Sequence, residues 1–136
     1  MSVAPDHATG VRAPAGWPSR VASPGSVRMR RDAVVFLLEH CPPEFRAHAP
    51  LRRRPLVLAR LAAAHVDKQL KVTRRALAQE REGPEQAAVL GILDDAAAVL
   101  RKEETRLIKA SRSVALVEQA LRAETPWGGH DADPHR

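Results

Sequence analysis

The chain has 136 residues and a formal net charge of +6, which is the size of one domain. Its single cysteine excludes an intramolecular disulfide and a cysteine-based zinc site. No run of eighteen apolar residues is present to form a membrane-spanning helix. With two Phe, two Trp and no Tyr, the core has to be aliphatic, and alanine-rich segments with few β-branched residues favour helix.

The two ends of the chain lack the periodicity of regular structure. Residues 1–25 are rich in Pro, Gly, Ala and Ser, and residues 124–136 are mostly polar, with two adjacent glycines. Both compositions predict flexible segments, a disordered leader and a flexible tail. Residues 26–123 are predicted to form one helical domain, of a size that dimerisation would help to stabilise.

The first predicted helix covers about residues 26–40. Ser26 suits the N-cap position, and the helix stops before Pro42 and Pro43. Its apolar residues fall at i, i+4, i+7 and i+8, which is one face of a helix: Met29, Ala33, Phe36 and Leu37. Residues 41–54 form a connection in which Phe45 and Leu51 are expected to point inward.

Two long helices follow. The first is predicted to run from Pro55 to Glu82, because proline suits the first helical position and Gly83-Pro84 is a turn signal. The second is predicted to run from Pro84 to Ala123, about 60 Å. Its apolar residues alternate in steps of four and three, a repeat typical of coiled coils: Val89, Leu93, Ala96, Leu100, Leu107, Ala110, Val114, Val117 and Leu121.

The short connection predicts that the long helices are antiparallel neighbours. A fold about residue 83 brings Leu107 level with Ala59 and Ala110 level with Leu56, so that large side chains face small ones. The predicted fold is therefore all-α, a long antiparallel, coiled-coil-like helical hairpin with the shorter N-terminal helix packed across its open end. Either that helix or a second copy of the chain is expected to cover the last apolar residues of the longest helix: Val114, Val117 and Leu121.

Positive charge is concentrated in the first half of the domain. Residues 26–82 carry 13 basic and 6 acidic side chains, a net of +7, whereas residues 84–124 carry 6 and 7, a net of −1. Lys68, Lys71 and Arg75 share one helix face, which is typical of contact with a phosphate backbone. The candidate nucleic-acid-binding residues are Arg52, Arg53, Arg54, Lys68, Lys71, Arg74 and Arg75, within a wider basic set that also holds Arg28, Arg30, Arg31, Arg46 and Arg60.

A solvated, arginine-rich surface is the competing interpretation of this basic set. The sequence has no helix-turn-helix spacing, no zinc finger and no basic region continuous with a zipper. It also has few aromatic residues on which bases could stack. An acidic protein or an anionic membrane surface is a further possible partner for the same residues.

Cys41 lies in the tripeptide His40-Cys41-Pro42. Cys-Pro pairs occur in haem-binding regulatory motifs, and a nucleophilic cysteine needs a positioned base such as His48. The simpler interpretation is a small buried residue at a helix end, followed by the prolines that stop the helix. We therefore predict no catalytic residue and no cofactor.

Glu103 is the one polar residue in the apolar repeat of the longest helix, and the predicted register places it near His65. A buried carboxylate needs a partner, which His65 or a nearby arginine would supply. The pair is interpreted as a polar layer that fixes register, because one His and one Glu are too few for a metal site.

The remaining acidic and histidine residues are assigned to solvent. Asp94-Asp95 and Glu103-Glu104 are adjacent pairs, whose side chains point about 100° apart on a helix and cannot share a site. The tail carries side chains that can bind metal, in a segment predicted to be flexible: His130, Asp131, Asp133 and His135. We predict no metal site.

No motif specifies a reaction, whereas long amphipathic helices offer binding surface. The sequence therefore predicts a non-enzymatic, cytoplasmic scaffold protein that self-associates as a homodimer and acts through protein–protein contacts. The first alternative is nucleic-acid binding through the basic face of the first two helices. The second is an enzyme whose site lies at the junction of these helices, around Cys41, His48 and His65.

Overall fold

The computed structural model describes residues 12–82 and 90–124, with side chains at 12–80 and 95–124. Every regular element in these ranges is helical, which confirms the all-α class. In chain order the elements are α1 (Met29–Glu39), a 3₁₀ helix (Pro43–Ala47), the single turn α2 (Ala49–Arg52), α3 (Pro55–Glu82) and α4 (Leu90–Glu124). The predicted turn at Gly83-Pro84 and the tail beyond Glu124 lie outside the described residues.

Helix α1 begins at Met29, later than predicted, because Ser26 closes a turn in front of the helix. Ser26 Oγ accepts the N–H of Arg28 at 3.2 Å, and its carbonyl oxygen accepts the N–H of Met29 at 3.1 Å. Arg28 therefore holds the N-cap position. At the other end the N–H of Cys41 bonds to Leu38 O, and the prolines that follow cannot continue the ladder.

The connection after α1 is folded into two short helices, each with a proline in its first turn, where a fixed φ and a missing N–H are tolerated. Phe45 and Leu51 are partly buried and pack against the core, as the sequence predicts. The connection therefore closes one side of the core near the start of α3, whose bounds match those predicted.

The main core lies where α1 meets the two long helices. Leu37, Leu58, Val114 and Val117 are all fully buried in one cluster. Burying side chains of this kind stabilises the fold by about 1.5–3 kcal/mol each. Helix α1 thus helps to cover Val114 and Val117 within a single chain.

A second apolar cluster lies farther along the long helices. Val66 of α3 packs with Leu107 and Ala110 of α4. Beyond it, Arg74 Nε lies 2.9 Å from Glu104 Oε2. These contacts fix which levels of α3 and α4 face each other.

The predicted pairing levels of the long helices are wrong. A fold about residue 83 puts Glu104 level with Ala62, about three helical turns from the Arg74 that it contacts. Leu107 accordingly packs with Val66 and not with Ala59. The apolar faces of α3 and α4 permit this shift, because sliding one helix along the other by whole turns still leaves the two apolar faces in contact.

Residues 12–28, here called the N-terminal segment, pack on the helices, although the sequence predicts a disordered leader up to residue 25. Val21 is 4% exposed and belongs to the main core. Trp17 packs against that core, and its Nε1 donates to Val21 O at 2.9 Å. The composition of the segment predicts too little apolar burial for ordered structure, but Trp17 and Val21, joined by a local turn, supply that burial.

The N-terminal segment is also fixed to α4. Ser113 Oγ donates to Gly16 O at 2.7 Å. Gly16 has a φ of +94°, in the left-handed region, and a Cβ built there would lie 2.8 Å from Arg112 Cδ. Glycine suits this position because it has no Cβ to meet either constraint.

Candidate functional site

One side of helix α3 is exposed and mainly basic. This basic face consists of residues at helical spacing: Arg60, Ala64, Asp67, Lys68, Lys71 and Arg75. The buried residues of α3 lie on the opposite side: Leu58, Ala59, Ala62, Val66, Thr73 and Leu77. The apolar period of the sequence explains this division, because the helix turns its aliphatic side toward α1 and α4 and its polar side to solvent.

Most cations on the basic face have no internal counter-charge. Arg60, Lys68 and Arg75 make no hydrogen bond or ion pair through their side chains within the described part of the chain. Lys71 Nζ lies 3.2 Å from Asp67 Oδ2, with both side chains more than half exposed. Such surface pairs contribute little, and the face retains a formal surplus of positive charge.

The arginine run at the start of α3 is only partly engaged. Arg52 donates to Arg46 O at 3.0 Å. Arg53 and Arg54 are exposed, and their side chains have no partner in the described residues. The first turn of α3 contains no acidic residue, so no carboxylate there offsets the two free guanidinium groups.

Arg74 differs from its neighbour Arg75. It points toward α4 and pairs with Glu104, whose side chain is 26% exposed. The structure thus separates the predicted nucleic-acid-binding residues into two groups. Arg53, Arg54, Lys68 and Arg75 have no side-chain partner among the described residues, while the partnered group consists of Arg52, Lys71 and Arg74.

The other arginines of the wider basic set lie apart from the basic face of α3. Arg28 holds the N-cap of α1, and Arg30 and Arg31 are exposed in its first turn. Arg46 Nε donates to Leu38 O at 3.4 Å. Arg46 therefore helps to fix the connection to the end of α1.

Cys41 is placed as a structural residue. It is 2% exposed, and its Sγ lies 3.8 Å from Leu58 O. Burial raises the pKa of the thiol, against a smaller opposite effect of Arg46, so the reactive thiolate is disfavoured. His48 is exposed against the Phe45 ring, and no hydrogen bond in the described chain links Cys41 to it.

Glu103 pairs with an arginine and not with His65. Its Oε1 accepts a hydrogen bond from Arg106 Nε at 2.9 Å, one turn along the same helix. This bond lowers the pKa of the Glu103 carboxyl, with burial opposing it. Of the two partners predicted for Glu103, the nearby arginine is therefore the one observed. The Glu103 side chain is 37% exposed, so the predicted buried polar layer is not formed.

His40 lies in a partly buried, charged environment at the end of α1. Burial is the main cause that lowers its pKa. The Glu39 carboxylate opposes that effect, and Arg106, Arg20 and His65 lower the pKa further. The environment thus favours the neutral imidazole, without a carboxylate arranged to make it a catalytic base.

The remaining candidates are placed as follows. Asp95 is exposed, as predicted, whereas Glu104 is drawn into the pair with Arg74. The histidines and aspartates of residues 130–135 lie outside the described residues. Within the described residues no group of His, Cys, Asp and Glu could hold a metal ion.

Sequence reasoning missed the ion pair that ties the N-terminal segment to α1. Both terminal nitrogens of Arg20 donate to the Glu39 carboxylate, and the backbone N–H of Ala22 donates to Asp32 Oδ2 at 3.0 Å. The only signal in the sequence was Trp17, a large apolar residue in a segment otherwise built of small and polar ones.

Comparisons of the chain with protein-family models, curated proteins and solved structures give no match. No helix among the described ones combines the length and hydrophobicity needed to cross a bilayer.

Proposed function

We propose that this chain is a non-enzymatic helical scaffold protein that acts through contacts between macromolecules. The observation that carries the proposal is the placement of the most reactive candidate side chain. Cys41 is buried against Leu58 with its pKa raised. Glu103 is held by Arg106. The long exposed faces of the helices are then the surfaces through which the chain can bind another macromolecule.

The proposed framework is an antiparallel, coiled-coil-like hairpin of α3 and α4. Its support is the order of the contacts: Leu58 clusters with Val114 and Val117, Val66 with Leu107 and Ala110, and Arg74 with Glu104. Higher residue numbers on α3 pair with lower numbers on α4, which is the order that an antiparallel pair requires. The cytoplasmic location that the sequence favours stays a prediction.

Self-association remains part of the proposal, but through a surface other than Val114 and Val117. Since Val114 and Val117 are covered within one chain, a second copy has to use apolar side chains that remain exposed on the long helices. Among the described residues these are Val72, Val99 and Ile108, which are 54%, 65% and 42% exposed.

Light scattering over a wide range of protein concentration tests self-association. A homodimer is expected, with a mass that falls toward that of the monomer on dilution and a melting temperature that falls with it. Val99→Ser and Ile108→Ser are expected to shift the equilibrium toward monomer, whereas Val35→Ser, an equally apolar exposed position on α1, leaves it unchanged. A monomer at every concentration would overturn self-association.

Nucleic-acid binding is the second candidate function. The observation that favours it is the basic face of α3, on which Arg60, Lys68 and Arg75 have no partner within the described chain. The expected result is retention on heparin and release by salt, since counterion release makes such binding steeply salt-dependent. A control protein with the same net charge of +6 shows the elution expected from charge alone. If this chain elutes no later than that control, the result counts against nucleic-acid binding.

A further inference from the structure

We propose that Arg53, Arg54, Arg60, Lys68 and Arg75 form one binding surface for the phosphate backbone of double-stranded nucleic acid, and that the surface reads no base sequence. The inference rests on the second candidate function. It goes further by naming which cations make the contacts, which are excluded and which form of nucleic acid they take.

Availability of charge selects these five residues. Each is exposed, and none has a side-chain partner in the described residues. Lys71 is held by Asp67, Arg74 by Glu104 and Arg52 by the carbonyl of Arg46. A cation that faces a carboxylate has part of its charge offset, and one held to a carbonyl has part of its donor capacity used, so we expect the free cations to supply most of the affinity.

The spacing of the free cations suits a duplex. Arg60 and Lys68 are about 12 Å apart along the axis of α3, and Lys68 and Arg75 about 10 Å. The major groove is about 12 Å wide, so the interval between Arg60 and Lys68 matches the two backbones that flank one major groove. Arg53 and Arg54 are exposed immediately before the first residue of α3, and we include them in the proposed surface on that ground.

The chemistry of the surface disfavours the other partners. Val72, which is 54% exposed and lies one turn from Lys68 and Arg75, is the one large apolar side chain exposed on α3 among the described residues, whereas a protein interface needs an apolar core of several anchoring side chains. A helix that binds a membrane surface likewise inserts Trp, Phe or Leu. Single strands are held by stacking on aromatic side chains, and this face carries none.

Fluorescence anisotropy with a labelled duplex of about 20 base pairs measures the proposed binding. Five phosphate contacts predict a slope of about −4.5 for the logarithm of the binding constant against that of the salt concentration. Between about 50 and 200 mM salt the affinity is therefore expected to fall about 500-fold. Two duplexes of unrelated sequence are expected to bind equally, and a single strand of the same length more weakly.

Three variants locate the surface. The triple variant R60A/K68A/R75A is expected to reduce the slope to about −2 and to weaken binding by more than 100-fold near 0.1 M salt, at about fivefold to tenfold for each contact. The matched control R101A/K102A/K109A removes three exposed, unpartnered cations from α4 and is expected to leave the slope near that of the wild type. R60K/R75K keeps the charges and is expected to keep the slope.

The single variants Arg75→Ala and Arg74→Ala give the sharpest comparison. They are adjacent in sequence, but only Arg75 is free, so Arg75→Ala is expected to lower the slope by about 0.9 and Arg74→Ala by much less. Arg74→Ala removes the pair with Glu104 and is therefore checked for folding by circular dichroism before its binding is compared. The other replaced side chains are exposed and unpartnered within the described residues, so the midpoint of urea unfolding of those variants is expected to stay unchanged.

The outcomes separate the inference from the function on which it rests. If the wild type binds duplex but the α3 and α4 triple variants weaken it equally, the chain binds nucleic acid and the proposed surface is wrong. If the wild type binds no duplex even at 50 mM salt, both fail. Polyglutamate and anionic vesicles, added at equal charge, are tested as competitors for the labelled duplex. If either competes as strongly as unlabelled duplex, the choice of partner is wrong.

Discussion

Leu37 shows how much a single side chain contributes to the core. It lies on α1 with no exposed surface and packs in the cluster shared by α1, α3 and α4. Leu37→Ala is expected to lower the free energy of unfolding by about 3 kcal/mol, from lost burial and the cavity that remains. Urea unfolding followed by circular dichroism measures it.

The control for Leu37→Ala lies two residues earlier on the same helix. Val35 is 57% exposed, so Val35→Ala is expected to change stability by no more than about 0.5 kcal/mol. Equal losses at the two positions would mean that α1 is not oriented as described.

His40 connects burial with pH at the scale of one residue. Its pKa is lowered in the folded state, chiefly by burial, so below about pH 6.5 the unfolded chain binds the proton more readily. The contribution of His40 to stability is therefore present above that pH and is lost as the pH falls through the folded pKa.

Urea unfolding between pH 5 and 8 tests the prediction for His40. His40→Gln is expected to flatten the rise in stability with pH, and His48→Gln, at an exposed position, to leave it unchanged. An unaltered pH profile in His40→Gln would show that another group causes the dependence.

At the scale of elements, the register of α3 and α4 can be tested by crosslinking. In a Cys41→Ala background, Arg74→Cys with Glu104→Cys is expected to be joined by a short bifunctional thiol crosslinker that replaces the reach of the two lost side chains, because these side chains are in contact. Ala62→Cys with Glu104→Cys follows the register predicted from sequence, and Ala62 lies about 18 Å from Arg74 along α3, so this pair is expected to stay unlinked. Mass spectrometry of the treated proteins distinguishes the two, and the reverse result would restore a fold about residue 83.

Local signals predicted the elements well, and long-range ones did not. Pro55 fixed the start of α3, because a proline at the first helical position is a local preference. The prediction of the register was wrong because Val66 and Ala59 are both apolar and lie on the same side of α3. An apolar side chain of α4 can therefore pack against either level. The prediction that the N-terminal segment is disordered was wrong because the burial of Val21 depends on helices that are far away in sequence.

The same limit applies to the candidate site. Helical spacing placed Lys68, Lys71 and Arg75 on one face from sequence alone. It could not separate Arg75 from Arg74, because that difference depends on Glu104 of another helix. Which charges are already paired is a property of the packed helices.

At the scale of the whole molecule, positive charge is concentrated in the first half of the described helices. The net charge of +7 over residues 26–82 belongs to α1, the connection and α3, whereas α4 is nearly balanced. An uneven distribution of this kind steers a polyanion toward one side before contact, and it speeds association in a way that salt screens.

The hydrogen bond between Ser113 and Gly16 spans 97 residues of chain, and this has a consequence for the order of folding. Val21 belongs to the same cluster as Val114, so the N-terminal segment cannot reach its final place until most of α4 has been made. At translation rates of about 5–20 residues per second, Val21 and Trp17 wait roughly 5 to 20 s for that partner. The N-terminal segment, which is synthesised before the helices that it packs on, is therefore among the last parts to be secured.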